Sequence, residues 1–377
     1  VFVSMLAALG AAEFALRQWL HAVPQLELDL YERDAHGNLR LRPGIERRHV
    51  TRLWDVTIRI NSEGWRNREP DPARPGPVVL ALGDSIAFGW GVQREESFLS
   101  RLEERITRDQ PVRLVKAAVP GTGTSDQLRL LEAIWPQYEP RAVLLCFFVG
   151  NDFVDVQMGG SAQFDVEDGL LVRRPLDGES RSWLTEARAR AVRRSHLLQL
   201  VRAAQLNWAR PDVPEAAAKN YPARDWDEWL REFAQVHLKD YPERTQRAVE
   251  ETLRCLDGFQ ALCKSRAVPM VLVVIPRSFQ VYPEEQQELL GELGVSEQEL
   301  DVDRPQRLLN AWAAERGVLA VDLLPAFQQF RQDNPNVNLY YYPDAHLNPD
   351  GHRVAAEAVI SDSKTMDAIL AAISSLD

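Results

Sequence analysis

Four short clusters carry residue types suited to acyl chemistry: Gly83-Asp84-Ser85, Pro120-Gly121-Thr122-Gly123-Thr124, Gly150-Asn151-Asp152 and Asp344-Ala345-His346. A serine hydroxyl is a weak nucleophile until an adjacent base takes its proton. Imidazole is suited to that task near neutral pH. His346 is therefore the candidate base for Ser85, and Asp344 the candidate carboxylate that fixes the imidazole tautomer and stabilises the imidazolium. Side chains at i and i+2 point the same way in extended chain and do not face each other on a helix. Asp344 and His346 can cooperate only if 340–348 is loop-like, which Pro343 and Pro349 favour. The oxyanion formed by attack needs preorganised donors. The backbone N–H groups of Ser85 and Gly121, with Gly123 as the alternative glycine, and the Asn151 amide are the candidates.

Each cluster also has a plainer reading. Gly-Asp-Ser and Gly-Asn-Asp are ordinary turn sequences, and Gly121 could be a simple turn glycine. Asp84 and Asp152 fit the ordering of their own turns better than catalysis. His352, in Asp350-Gly-His352, competes with His346 but is expected to begin the last helix, while His196 and His237 read as structural. No set of His, Asp, Glu or Cys has metal-ligand spacing, and no cofactor is implied. What gives the clusters weight is their order and their place at strand ends.

Those strands are short apolar runs at 78–82, 112–118, 142–149, 270–275 and 318–321. Helical patterns at 96–108, 125–137, 243–265 and 304–316 alternate with them. This rhythm argues for a parallel sheet covered on both faces, with ligands bound outside the carboxyl ends of the strands. Cys146 falls in an apolar run, and Cys255 and Cys263 are eight apart on one expected helix, so no disulfide framework is indicated.

With 377 residues, the chain can hold one large α/β domain with additions. Its net charge of −11 makes it a poor partner for nucleic acid, which needs a basic footprint. Residues 1–21 read as an apolar helix whose first twelve residues are uncharged. That run is shorter than the about 20 residues of a membrane span, and it reads as part of an N-terminal membrane anchor or as an amphipathic helix packed on the domain. No cleavable leader is evident. Residues 22–77 form an N-terminal extension with a strand-like run at 56–60 and a linker containing Pro70, Pro72, Pro75 and Pro77. The main domain, 78–377, is interrupted by a cap-like insertion at about 153–242. That insertion begins with an expected hairpin around Asp168-Gly169 and continues into an expected helix at 183–206 with Arg188, Arg190, Arg193 and Arg194. Trp208, Tyr221, Trp226 and Trp229 follow.

The nucleophile elbow Gly-x-Ser-x-Gly of α/β-hydrolases is narrowly missed by Gly83-Asp-Ser-Ile-Ala87, and no run of strands precedes residue 78. The four clusters instead resemble the blocks of the SGNH (GDSL-type) hydrolase family. The match covers about 78–152 and 268–360, and Ile60-Asn-Ser-Glu-Gly-Trp-Arg66 makes the chain similar to membrane-anchored bacterial members. Two departures stand out: the last block is written Asp-x-His rather than Asp-x-x-His, and Lys116 occupies a place where many members carry Asn. The resemblance implies a three-layer α/β/α flavodoxin-like fold with a largely helical insertion. It implies a serine esterase with Ser85, His346 and Asp344 as catalytic residues and Ser85, Gly121 and Asn151 binding the oxyanion. The substrate would be a small-molecule or glycan ester, an O-acyl ester of a carbohydrate or lipid, and the enzyme would sit at the cell membrane with its catalytic domain outside the cytoplasm. The alternatives are an O-acyltransferase acting on a cell-surface polysaccharide, through the same acyl-serine, and a non-catalytic glycan-binding module.

Overall fold

The computed structural model describes residues 2–19, 28–51, 53–73, 76–108, 111–157, 159–174, 233–341 and 344–374, together with scattered positions between 187 and 201. The expected features at Arg188, Arg190, Arg193, Arg194, Trp208, Tyr221, Trp226 and Trp229 lie outside the described residues.

In chain order the elements begin with α1 (Phe2–Trp19), β1 (Tyr31–Arg33), β2 (Leu39–Leu41), β3 (Glu46–Val50) and β4 (Asp55–Arg59). Then come β5 (Val78–Gly83), α2 (Ser85–Phe88), α3 (Phe98–Ile106), β6 (Arg113–Ala118), α4 (Thr124–Tyr138), β7 (Ala142–Phe148) and α5 (Asp152–Gln157). The hairpin β8 (Phe164–Glu167) and β9 (Leu170–Arg173) precedes α6 (Glu243–Ser265), β10 (Met270–Ile275), α7 (Ser278–Val281) and α8 (Pro283–Leu293). The chain closes with α9 (Arg304–Arg316), β11 (Leu319–Asp322), α10 (Leu324–Asp333), α11 (Pro349–Ser361) and α12 (Ser363–Ser374). The single final helix expected after His346 is thus two helices. Asp362 ends the first, and its side chain accepts the Thr365 N–H (2.8 Å) within the second.

Five strands form one sheet in the order β11-β10-β7-β5-β6, all parallel. The apolar runs dictate this. Every residue of β7 and β10 is buried, as strands covered on both faces must be. Helices α4, α6 and α9 form one covering layer, tied together where Trp312 Nε1 donates to Asp257 Oδ1 (2.9 Å). Helices α3, α11 and α12 form the other. The protein is an α/β fold with flavodoxin-like strand order. The chain starts at β5, steps out to β6, then crosses back to β7 on the other side. Such a reversal opens a crevice at the carboxyl ends of the strands, and the segments after β5, β6 and β7 border it.

The segment 28–65 shares one hydrophobic core with the sheet: Leu30, Leu41, Ile58 and Trp65 are buried in it. Strand β3 reads Glu-Arg-Arg-His-Val and has no apolar alternation; it forms because it pairs in register with β4 and gains the ion pairs Arg48–Asp55 and Arg59–Glu46. Asn61 folds the turn that follows, accepting the Glu63 and Trp65 N–H groups. Trp65 is fully buried and its Nε1 donates to Tyr138 Oη (2.7 Å) on α4. The β8–β9 hairpin has both Asp168 and Gly169 in the left-handed region, as a two-residue connection requires. It docks on this same segment, where the Tyr31 N–H donates to the Gly169 carbonyl (2.9 Å). Among the described residues no helix is long and apolar enough to cross a membrane. Helix α1 exposes Met5, Leu9 and Phe14, and its Glu13 accepts the N–H groups of His196 and Leu197 and the Ser195 hydroxyl.

Truncating a buried tryptophan removes its transfer energy and leaves a cavity. Trp65→Ala should therefore cost about 3–5 kcal/mol of unfolding free energy, measured by urea denaturation. A loss below about 1 kcal/mol would mean that the 28–65 segment is not integral to the core.

Candidate active site

The serine is set by the end of β5. Asp84 caps α2 by accepting the Ile86 N–H at Oδ1 (2.8 Å), which turns the chain and leaves Ser85 half-buried at the first helical position. Its N–H is one of the donors that a helix start leaves without an intrahelical partner.

His346 comes from the loop between α10 and α11. Residues Tyr340 and Leu347 bridge across this loop, and the Tyr341 N–H donates to the His346 carbonyl (2.9 Å). His346 Nε2 lies 2.8 Å from Ser85 Oγ. On the other side of the ring, Nδ1 is hydrogen-bonded to Asp344 Oδ1, which also accepts the His346 backbone N–H (3.0 Å). That second bond closes a turn over the intervening residue. The turn explains how Asp-x-His, one residue shorter than the common spacing, still puts carboxylate and ring in contact. Asp344 is buried, with 5% of its side chain exposed, whereas His346 keeps 23% exposed towards the site. A buried carboxylate behind a half-open imidazole can hold one tautomer and stabilise the protonated ring.

Gly121 adopts φ +80°, a conformation that glycine reaches without strain. A side chain there would press on Leu171 of β9, at 3.2 Å. The alternative, Gly123, spends its N–H on Asp126 Oδ2 (3.2 Å) at the start of α4. Gly121 is thus the better placed of the two to serve a ligand. Asn151 is engaged within the protein: its amide nitrogen donates to Asp155 Oδ2 (2.9 Å), one helical turn on, and its Oδ1 is buried with no protein partner. Asp152 ties this loop down, accepting the Phe148 N–H (2.7 Å) and the Gln127 side chain (3.3 Å).

Three buried carboxyls therefore lie under the crevice, and all resist ionisation. Burial raises Asp84, partly offset by the Ile86 N–H and the charge of His346. Burial and the neighbouring Asp84 raise Asp152 well above the carboxylate range. Burial, then Asp84 and Asp126, push Asp155 up to about 8.

The competing residues lie elsewhere. His352 is in α11, stacked on Phe98 with ring centroids 5.9 Å apart, and its Nδ1 faces the Phe98 N–H (3.3 Å). His237 pairs with the Val302 carbonyl (2.6 Å). Burial lowers both imidazoles to about 3. His196 sits beside Glu13. Lys116 donates to Ser100 Oγ (2.7 Å) behind the sheet, and burial lowers it to about 8. Among the described residues no three His, Cys, Asp or Glu are grouped to hold a metal ion.

Sequence reasoning missed the aromatic wall beside His346. Trp90, Trp54, Tyr341 and His49 pack together there, with Trp90 and His346 ring centroids 6.3 Å apart. Arg66 fixes this wall. Its buried guanidinium donates to the carbonyls of Phe88, Gly89 and Val92, and burial lowers it to about 10.

A parallel sheet in this order, with a serine, a histidine and an aspartate meeting at its carboxyl edge, defines an SGNH-type architecture. The family model described as GDSL-like Lipase/Acylhydrolase matches residues 81–252. A second, described as SGNH hydrolase-like domain, acetyltransferase AlgX, matches 226–372. Together the two matches run from residue 81 to 372, and over that span the chain is similar to SGNH (GDSL-type) hydrolases. No curated protein matches the chain. Similar solved structures include TesA, with 12% identity over 78% of this chain and 99% of that one, at a TM-score of 0.39. EstA from Pseudoalteromonas sp. has 12% identity over 77% and 97%, at 0.37. The acetyl xylan esterase AlAXEase has 14% identity over 76% and 99%, also at 0.37. Likeness this distant bears on none of the residues described above.

A carboxyl with a raised folded pKa keeps its proton after the unfolded chain has ionised, so its share of stability falls as pH rises between the two values. For Asp155 that window runs from its ordinary 3.8 to about 8. Asp155→Asn keeps a neutral group in place. Its melting temperature should decline less steeply than the wild type's between about pH 6.5 and 8, where the buried histidines no longer titrate. Parallel curves would show that Asp155 is already ionised in the folded protein.

Proposed function

We propose that the protein is a serine esterase that cleaves an O-acyl ester of a carbohydrate or lipid through an acyl-Ser85 intermediate. The observation that carries this reading is the 2.8 Å contact of Ser85 Oγ with His346 Nε2, whose other nitrogen is held by buried Asp344. As Oγ adds to the ester carbonyl, its proton passes to Nε2. The carbonyl oxygen takes the negative charge and is met by the N–H groups of Ser85 and Gly121, with the Asn151 amide turning from Asp155 to join them. Collapse breaks the bond to the alcohol, which leaves with the proton from Nε2. Water, activated by the same nitrogen, then releases the acid and frees Ser85.

A second reading has one supporting observation. The acetyltransferase AlgX description of the model matching 226–372 favours transfer of the acyl group to a sugar hydroxyl in place of water. Product analysis with and without a sugar acceptor separates the two. Hydrolysis predicts free acid as the main product in both. Acylated acceptor forming faster than free acid would replace it with transfer. A non-catalytic module predicts that a fluorophosphonate probe leaves folded protein unlabelled and that Ser85→Ala changes nothing, whereas the esterase reading predicts labelling lost in Ser85→Ala.

The oxyanion role of Asn151 is open to a direct check. Asn151→Ala should lower kcat by roughly 100- to 1,000-fold if its amide serves the transition state. A change below about threefold, with lowered stability, would confine Asn151 to bracing Asp155.

On the same reading α1 holds the enzyme at a membrane through its exposed Met5, Leu9 and Phe14. Leu9→Glu in the full chain should then shift protein from sedimented membranes to the supernatant, and unchanged sedimentation would remove the membrane from the proposal.

A further inference from the structure

Trp90 stands beside the base and is tied to the nucleophile. Its backbone N–H donates to the Ser85 carbonyl (3.0 Å). Its indole is inclined 37° to the His346 ring and packs on Phe88 and His49, with centroids 6.0 and 5.0 Å away. Part of its surface stays open to solvent. The strand of chain that carries it is held from three directions. Arg66 binds the carbonyls on both sides of it, Tyr341 Oη donates to the Gly91 carbonyl (2.9 Å), and Trp54 Nε1 donates to His49 Nδ1 (3.1 Å) behind it. A buried arginine spent on backbone carbonyls is a costly way to hold a surface loop, and what it holds in place is an indole at the site.

An ester bound at Ser85 has two halves, and proton transfer tells them apart. The base must reach the oxygen that leaves, so the alcohol oxygen has to come within hydrogen-bond distance of His346 Nε2. Whatever that oxygen carries must extend past the His346 side of the crevice, where the half-buried Trp90 stands with its ring centroid 6.3 Å from that of His346. Gly121 and β9, the elements that border the acyl oxygen, stand after other strands. We propose that Trp90 is the specificity-determining residue of the alcohol subsite and that it receives a sugar ring. An indole offers a flat apolar face with one polar edge, which suits a ring whose C–H face is apolar and whose rim is hydroxylated. The same subsite would take the departing sugar in hydrolysis and an accepting sugar in transfer. The inference rests on the proposed Ser85 chemistry.

The test compares three acetate esters, a methyl 6-O-acetyl-glucopyranoside, ethyl acetate and a long-chain alkyl acetate, in the wild type, Trp90→Phe and Trp90→Ala, with fluorophosphonate labelling of Ser85 run on each. The ratio of kcat/KM for the sugar ester to that for ethyl acetate should fall about tenfold in Trp90→Ala, the size of one aromatic contact, and should largely survive in Trp90→Phe. Equal losses on both esters would make Trp90 a brace for Ser85 and overturn the proposal. So would an unchanged ratio, or a wild type that prefers a long-chain alkyl acetate to the sugar ester. Labelling separates this failure from that of the underlying reading: wild type left unlabelled at Ser85 would sink the acyl-serine chemistry itself, and the subsite with it.

Discussion

The site depends on one contact made across 261 positions of sequence: a histidine from the loop before α11 must reach a serine at the end of β5. Imidazole has no preference of its own for that geometry. Asp344 imposes it by bonding to the ring nitrogen and to the backbone N–H of the same residue, so ring and chain are fixed together. Buried and acceptor-only, the carboxylate leaves Nδ1 as donor and Nε2 as the nitrogen that faces Ser85. The sheet supplies the other half of the constraint. Because the chain reverses direction across β5, the ends of β5, β6 and β7 lie next to one another, and three separate loops converge on one crevice.

The segment before the sheet takes part in this construction. Trp65 and Ile58 enter the main core, and Arg66, the next residue on, binds the chain that runs from α2 past Trp90. His49 and Trp54 then pack behind Trp90, and Tyr341 joins them from the His346 loop. The β8–β9 hairpin leans on the same segment and brings Leu171 against Gly121. Residues that precede the sheet in sequence therefore back the Trp90 side of the crevice, and a hairpin that follows β7 closes on Gly121 at the other.

Much of this was legible in the sequence. The five strands stood out because continuous apolar runs ending in Gly, Pro or Asp have few other uses, and α6 and α9 were found at their full extents, 243–265 and 304–316. Ser85, His346 and Asp344 were identifiable from residue type, order and the prolines around the last cluster. The strand β3 was not, because its pairing with β4 and not its own pattern makes it a strand. Asn151 was expected to face the oxyanion, yet its amide turns to Asp155; the four-residue spacing at the start of a helix was the available signal. Trp90 gave no sign, since its position depends on Arg66, which is distant in sequence. The raised pKa of Asp155 has the same origin: it follows from burial beside Asp84 and Asp126, a convergence that only the fold creates.

Covalent capture tests Ser85 most directly. Rapid acid quench of the enzyme during turnover of an activated acetate ester, followed by peptide mass analysis, reports where the acyl group resides. Attack by Ser85, with His346 as base, predicts one added acetyl on the peptide containing Ser85, and none in His346→Ala under the same conditions. Turnover with no acyl-peptide at any time, or an acetyl on another residue, would contradict it.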